Sequence, residues 1–235
     1  MKILALDTAT ELCSAALWLD GTFSTREEAG SRAHAARILP MIDELLAEAQ
    51  LRLQQLDAIA FGRGPGAFTG VRLAVSVAQG LGFAAGLPLI PISDLRALAA
   101  QAMQLPGAPA RAVICQDARM REVYWGCFER SALGVGLVGL EAVALPSAVE
   151  LPAAWSAEEV CGAGSGFDAY RAALSGVASK LCKVFEALMP RATEVAQLAA
   201  ADGMQRAVLP DDALPVYLRD EVASVIPGAA GTLRS

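Results

Sequence analysis

The chain has 235 residues, a formal net charge of −6, and 54% hydrophobic against 19% charged residues. That apolar fraction excludes a disordered chain and is enough for a sizeable core. The acidic balance argues against the chain gripping a nucleic-acid backbone by itself, since Lys and Arg supply that affinity.

The N-terminus reaches Asp7 too soon for the apolar stretch of a signal peptide. Ile3–Leu6 reads as a buried strand ending at Asp7, and Thr8–Glu11 as a turn. Cys13–Leu19 is a second strand, with an Asp20-Gly21 hairpin signal into Thr22–Glu27. Ala33–Ala49 has helical spacing and an apolar stripe of Ile38, Met41, Ile42, Leu45 and Leu46; Pro40 inside it predicts a kink or a restart. A strand over Leu56–Phe61 runs into Gly62-Arg63-Gly64-Pro65-Gly66-Ala67-Phe68-Thr69-Gly70. Such a turn brings backbone N–H groups close to an anion or to another backbone, but no Gly-Lys-Ser/Thr ends it, so it is not a P-loop. An apolar helix follows, from Val71 to about Ala85. The uncharged run from Leu73 to Ile92 is interrupted by Gly80, Gly82 and Gly86 and ended by Pro88 and Pro91. The helix is therefore short for a bilayer, and no membrane association is expected. Leu89–Ile92 is a strand, and Ser93 caps a helix to about Met103.

Leu105–Pro109 reads as a linker, and the pattern then restarts. Ala112–Gln116 is an apolar strand ending at Asp117, a polar turn covers Ala118–Arg121, and Glu122–Phe128 is a strand. The unit of strand, Asp and hairpin thus occurs twice, which predicts duplicated α/β halves, residues 1–104 and 105–235, with partly parallel sheets. The second half is weaker in pattern. Ser131–Pro152 reads as irregular, Glu159–Cys161 as a short strand into Gly162-Ala163-Gly164-Ser165-Gly166, and Phe167–Leu174 and Ala192–Ala201 as helices.

Asp7-Thr8-Ala9-Thr10 stands where a strand ends. It can orient a phosphate or a metal-bound water, or simply form a turn held by its own side chains. The Gly162–Gly166 run lacks dinucleotide-binding spacing and reads as a loop. His34 is the sole histidine. With no companion ligands and no Gly-x-Ser-x-Gly elbow, it is neither a metal site nor a triad base, but a helix-surface or contact residue. The cysteines Cys13, Cys115, Cys127, Cys161 and Cys182 show no CxxC spacing and read as reduced thiols of a cytoplasmic protein. In the Val71–Ala85 helix apolar residues surround the whole wheel, so it must be covered on every side, with Ala74, Ala78, Gly82 and Ala85 permitting close approach of a second helix.

Five ordered blocks resemble the TsaB family, also called YeaZ, over most of the chain. They are Leu4–Thr10; His34 with Ile38-Leu39-Pro40-Met41-Ile42-Asp43-Glu44-Leu45-Leu46; Gly62–Arg72; Asp117-Ala118-Arg119-Met120-Arg121-Glu122-Val123-Tyr124; and Pro215-Val216-Tyr217-Leu218-Arg219. Ala67 departs from the usual Ser and Val71 from Leu. The resemblance implies a duplicated actin-like ATPase fold (ASKHA, RNase H-like) with a reduced second half. It also implies a non-catalytic part in making threonylcarbamoyladenosine next to the tRNA anticodon. The implied partners are a TsaD-like paralogue that carries the metal-binding histidine pair and the transfer chemistry, and a TsaE-like ATPase. tRNA is met only through that complex.

Helical spacing and the resemblance together make His34, Arg37, Met41, Leu45, Arg72, Val75, Gln79 and Phe83 the expected partner contacts, with a homodimer expected when the chain is alone. Asp7, Thr8, Thr10, Gly64, Gly66 and Thr69 would form a vestigial phosphate-side loop. No intrinsic cofactor is expected, with ATP or ADP at most near the partner interface. The rival reading is a nucleotide-dependent small-molecule kinase of the actin-like superfamily, which would use Asp7 or Asp117 and two phosphate loops.

Overall fold

The structure, a computed structural model, describes residues 1–30, 34–132, 134–156 and 159–219. Two five-stranded sheets carry the chain. The first is built from β1 (Lys2–Asp7), β2 (Leu12–Leu19), β3 (Thr22–Ala29), β4 (Ala58–Gly62) and β5 (Leu89–Ile92), in the order β3-β2-β1-β4-β5. The second is built from β6 (Arg111–Asp117), β7 (Val123–Ser131), β8 (Gly134–Ala144), β9 (Val160–Ala163) and β10 (Lys183–Phe185), in the order β10-β9-β6-β7-β8. Strand for strand the senses agree. β1 and β6 each pair antiparallel with the following strand and parallel with the strand that returns after a crossover. The duplication read from the sequence is therefore one of topology, and the fold is the duplicated actin-like α/β fold.

The helices are α1 (His34–Glu48), α2 (Phe68–Ala85), α3 (Asp94–Gln104), the short α4 (Gly166–Ala169) and α5 (Ser175–Ala178), and α6 (Ala192–Asp202). Alternation along β1 decides the layering. Leu4 and Leu6 join α1 and α2 in one core, while Ile3 and Ala5 join α3 and α6 in another. That second core continues into Ala112, Ile114 and Phe128 of the second sheet, whose far face packs Val113 and Cys115 against Phe167 and Leu174. So α3 and α6 lie between the sheets, and α6, late in the chain, closes the first lobe. Arg96 of α3 fixes this layer with a bidentate pair to Asp202 of α6 at 2.6 and 2.7 Å.

Several expectations needed correction. The segment 131–152 is irregular only in part: β8 fills Gly134–Ala144 and pairs with β7 across a register shift near Trp125 and Cys127, while residues 145–152 are loop around one 3-10 turn. Gly134, Gly136 and Gly139 interrupt the alternation that would have revealed β8. β10 is only three residues long and was not foreseen. The helix expected over Phe167–Leu174 is α4 alone. α1 runs unbroken through Pro40, whose neighbourhood is exposed, so the carbonyl deprived of its bond faces water. The expected helix start, Ala33, lies outside the described residues. α2 begins at Phe68, three residues earlier than expected, because the glycine loop itself turns into its first turn. Ser93 caps α3 as read, its hydroxyl accepting from the Arg96 N–H.

Candidate functional site

The turn after β1 and the loop after β4 close against each other. The Thr8 hydroxyl donates to the Gly70 carbonyl at 2.7 Å, and the Ala67 N–H donates to the Ala9 carbonyl at 2.7 Å. A Cβ on Gly66 would meet Ala9 at 2.6 Å, so only glycine permits that approach. Asp7 and Thr8 are fully buried and Gly64 is buried. Asp7 Oδ1 accepts the Ala9 N–H at 2.9 Å, and Asp94 Oδ2 accepts the Gly64 N–H. Of the expected phosphate-side residues, Thr10 and Gly66 border open space, whereas Asp7, Thr8 and Gly64 are engaged inside the lobe and Thr69 faces solvent on α2.

The remaining oxygens of the two acids, Asp7 Oδ2 and Asp94 Oδ1, are buried and meet no N–H or hydroxyl donor. A Cβ on Gly62 would stand 2.5 Å from each of them, so the carboxyl groups converge over that glycine. Burial, then the charge of Asp7 and the hydrogen bond between the two groups, holds the Asp94 carboxyl well above the usual range. Burial raises Asp7 as well, against the opposing effect of its bonds to Asp94 and Ala9. One proton shared by the pair satisfies both oxygens. Asp94 is absent from the sequence expectations because it lies far along the chain from Asp7, and only strand order brings the two together.

Between the lobes opens a cleft of about 710 Å³. The first lobe contributes Thr10, Glu11 and the Pro65–Phe68 segment; the second contributes Gln116–Met120, Tyr124, Ser165 and Asp168; the tail contributes Val216–Arg219. Arg119, Met120 and Arg121 all have positive φ (61°, 54° and 64°), a compact turn that aims Arg119 across the cleft towards Glu11 at 3.5 Å. Arg119 is also bound to Asp117, and Arg219 to Glu122. Among the described residues no cluster of three or more metal-ligating side chains occurs.

The expected partner contacts divide sharply. Met41, Leu45 and Val75 are no more than 5% exposed and belong to the core between α1, α2 and the first sheet. His34 is buried too, its Nε2 3.3 Å from the Glu11 carbonyl. Arg37 binds Glu28 at 2.7 Å. Arg72 and Gln79 are taken up by this chain's own tail. The Arg72 guanidinium lies 3.6 Å over the Phe68 ring and donates to the Tyr217 hydroxyl, while Gln79 donates to the carbonyls of Pro210 and Ala213. The tail thus covers a side of α2 that the sequence left for another subunit. Phe83 is the well-exposed apolar member of the set, at 57%, while Arg72, also exposed, is held by Phe68 and Tyr217. Around Phe83, Ser76, Gly80 and Ala84 give α2 an outer face of small residues open to solvent. Among the described helices, α2 alone has the length and composition to cross a membrane, but its inner face is part of the core.

Two lobes of one topology, a sealed turn at the end of the first strand and a cleft between the lobes define a two-lobed protein of the actin-like fold. The profile of the family described as "TsaD: tRNA N6-adenosine threonylcarbamoyltransferase" matches residues 27–226. The protein of Escherichia coli K12 called "tRNA threonylcarbamoyladenosine biosynthesis protein TsaB" is 40% identical over 97% of this chain and 99% of its own. The Haemophilus influenzae protein of the same description is 54% identical over 53% of this chain and 52% of its own. The solved structure "YeaZ from Pseudomonas aeruginosa" superimposes with a TM-score of 0.83 at 43% identity, covering 92% of this chain and 99% of that one. The chain belongs to the TsaB (YeaZ) family.

Proposed function

We propose that this protein is a non-catalytic scaffold subunit of threonylcarbamoyladenosine synthesis, pairing with a TsaD-like paralogue that transfers the threonylcarbamoyl group to the adenosine beside the tRNA anticodon. The observation that carries this reading is the closed turn. Asp7 and Thr8, the groups an actin-like enzyme would turn to phosphate, are buried and bonded within the lobe. The kinase alternative needs those groups free. In this reading the chain carries no cofactor of its own, ATP or ADP stands near the partner, a TsaE-like ATPase joins the pair, and tRNA approaches through the assembled complex in the cytoplasm.

The docking face in this reading is narrower than spacing alone predicts. It consists of the outer side of α2 around Phe83, with Ser76, Gly80 and Ala84 allowing a partner helix to lie close, and it serves a homodimer when the paralogue is absent. Gly80 gives a clean test. A Cβ there meets nothing within 4 Å, and replacing a helical glycine adds up to about 1 kcal/mol of helix stability. Gly80→Glu is therefore expected to melt at or above the parent temperature, yet to lose co-elution with the histidine-bearing paralogue and to abolish threonylcarbamoyladenosine formation in the reconstituted system. Undiminished co-elution sinks this face.

A further inference from the structure

We propose that the tail residues Pro215–Arg219 are a strap that walls one side of the cleft and opens as a unit, with Arg219 as its latch on the second lobe. The device governs access to the cleft whatever enters it, and it does not depend on the scaffold role.

The strap is separable from the body beneath it. Residues 213–219 belong to no helix or strand. Among the described residues the strap's backbone makes one hydrogen bond, from the Val216 N–H to the Arg63 carbonyl at 2.8 Å. The Tyr217 hydroxyl, accepting from Arg72 at 2.6 Å, completes its hold on the first lobe. A segment with so few backbone bonds and no ladder opens locally at low cost. Val216–Arg219 line the cleft, so lifting them leaves that side open. The lobes themselves share the core of α3 and α6, so the strap gives way before they do.

Arg219 fastens the strap to a single turn of the second lobe. Its Nη2 donates to the Ala118 carbonyl at 3.2 Å and pairs with Glu122, and its Nη1 lies 3.4 Å from Met120 Sδ. That turn carries three successive side chains in the left-handed region, at Arg119, Met120 and Arg121. Such a conformation persists only where its surroundings hold it. Asp117 supplies another hold, accepting the Arg119 N–H at 2.8 Å while the Tyr170 hydroxyl donates to the same oxygen at 2.8 Å. Latch and turn therefore stabilise each other, and loss of Arg219 frees the strap and loosens the turn together. The Arg219 and Glu122 side chains are 19% and 31% exposed, open enough for salt to weaken the pair.

Amide hydrogen exchange of the full chain, without ligand, tests this. Between about 0.05 and 1 M NaCl the protection factors of the Val216, Ala118 and Glu122 amides should fall about threefold or more, while those in β1 and β6 stay within about twofold. Arg219→Met keeps an unbranched apolar stem without the fork. At low salt it should lower protection of the same three amides by about tenfold or more, again sparing β1 and β6. A thiol placed in the cleft by Thr10→Cys, in Cys182→Ser protein, should react faster with a small maleimide when Arg219→Met is added. Val216 protection that does not respond to salt, a loss in Arg219→Met spread evenly over β1 and β6, or equal labelling rates would each overturn the proposal. The salt series uses the unmodified chain, so it decides even where the variant does not fold.

Discussion

Asp7 at the end of β1 and Asp94 at the start of α3 face each other across Gly62, each anchored by one backbone N–H and each with its second oxygen turned to the other. Two ionised carboxylates cannot share such a site, so one proton stays with the pair. The pair joins the turn after β1 to the loop after β4, which together form one wall of the cleft.

A proton held in this way makes folding pH-dependent with a definite sign. An unfolded Asp ionises near pH ~3.9, whereas folded Asp94 keeps its proton well above that range because of burial and the Asp7 charge. The stability conferred by the bound proton is complete below the unfolded value and drains away as pH rises through the folded one. Asp94→Asn replaces the proton by a permanent N–H donor to Asp7, while its carbonyl can still accept from Gly64. Urea denaturation from about pH 4 upward should show the parent losing stability more steeply than the variant, with the variant ahead at the alkaline end by about 1–2 kcal/mol, the value of one buried hydrogen bond. Parallel pH profiles would mean that the proton is not held there.

Gly70 offers a second, purely steric prediction. It lies in the first turn of α2, where a Cβ would collide with the Thr8 carbonyl oxygen, a backbone atom that cannot swing aside. Helix propensity alone favours alanine at a helical glycine by about 1 kcal/mol. Overpacking against a fixed backbone costs about 1–3 kcal/mol or more, and here it also endangers the Thr8 hydroxyl bond to the Gly70 carbonyl. Gly70→Ala should therefore lower stability by about 2 kcal/mol or more in chemical denaturation, whereas the exposed Gly80→Ala on the same helix should raise it by up to about 1 kcal/mol. Two glycines ten residues apart thus respond with opposite sign, and equal responses would refute the close contact at Thr8.

These two positions also show what was legible in the sequence. The strand ending at Asp7, the hairpin at Asp20-Gly21, the Ser93 cap and the restart at Ala112, one residue inside β6, are local signals of alternation, turn chemistry and capping, and the structure has an element at each of them. The partnership of Asp7 with Asp94 depends on β4 and β5 being added beside β1, which no local pattern records. For the same reason Met41 and Val75, read from the helical wheel as partner contacts, are core residues. The wheel identifies an apolar face but not what covers it, and the tail residues Pro210, Ala213 and Tyr217 were not counted as cover.

The cysteines supply a test of the two outer cores at once. Burial pushes the Cys13 thiol up to about 11, with the Glu28 charge adding to it, Cys161 to about 11 and Cys127 to about 12, and burial raises Cys115 further still. The thiolate is the reactive species, so at pH 8 these four carry on the order of 0.1% of it or less, behind a layer of side chains that also blocks access. Cys182, by contrast, is exposed in the turn before β10. An aromatic disulfide reagent is therefore expected to titrate one thiol rapidly in the native protein and all five after denaturation, with Cys182→Ser removing the fast phase. The slow thiols should then report opening of the two layers separately. Cys13 lies in the core under α1 and α2, and Cys115 and Cys127 in the core on the far face of the second sheet. If a second thiol of the native chain reacts as fast as Cys182, then one of those layers is not closed as described.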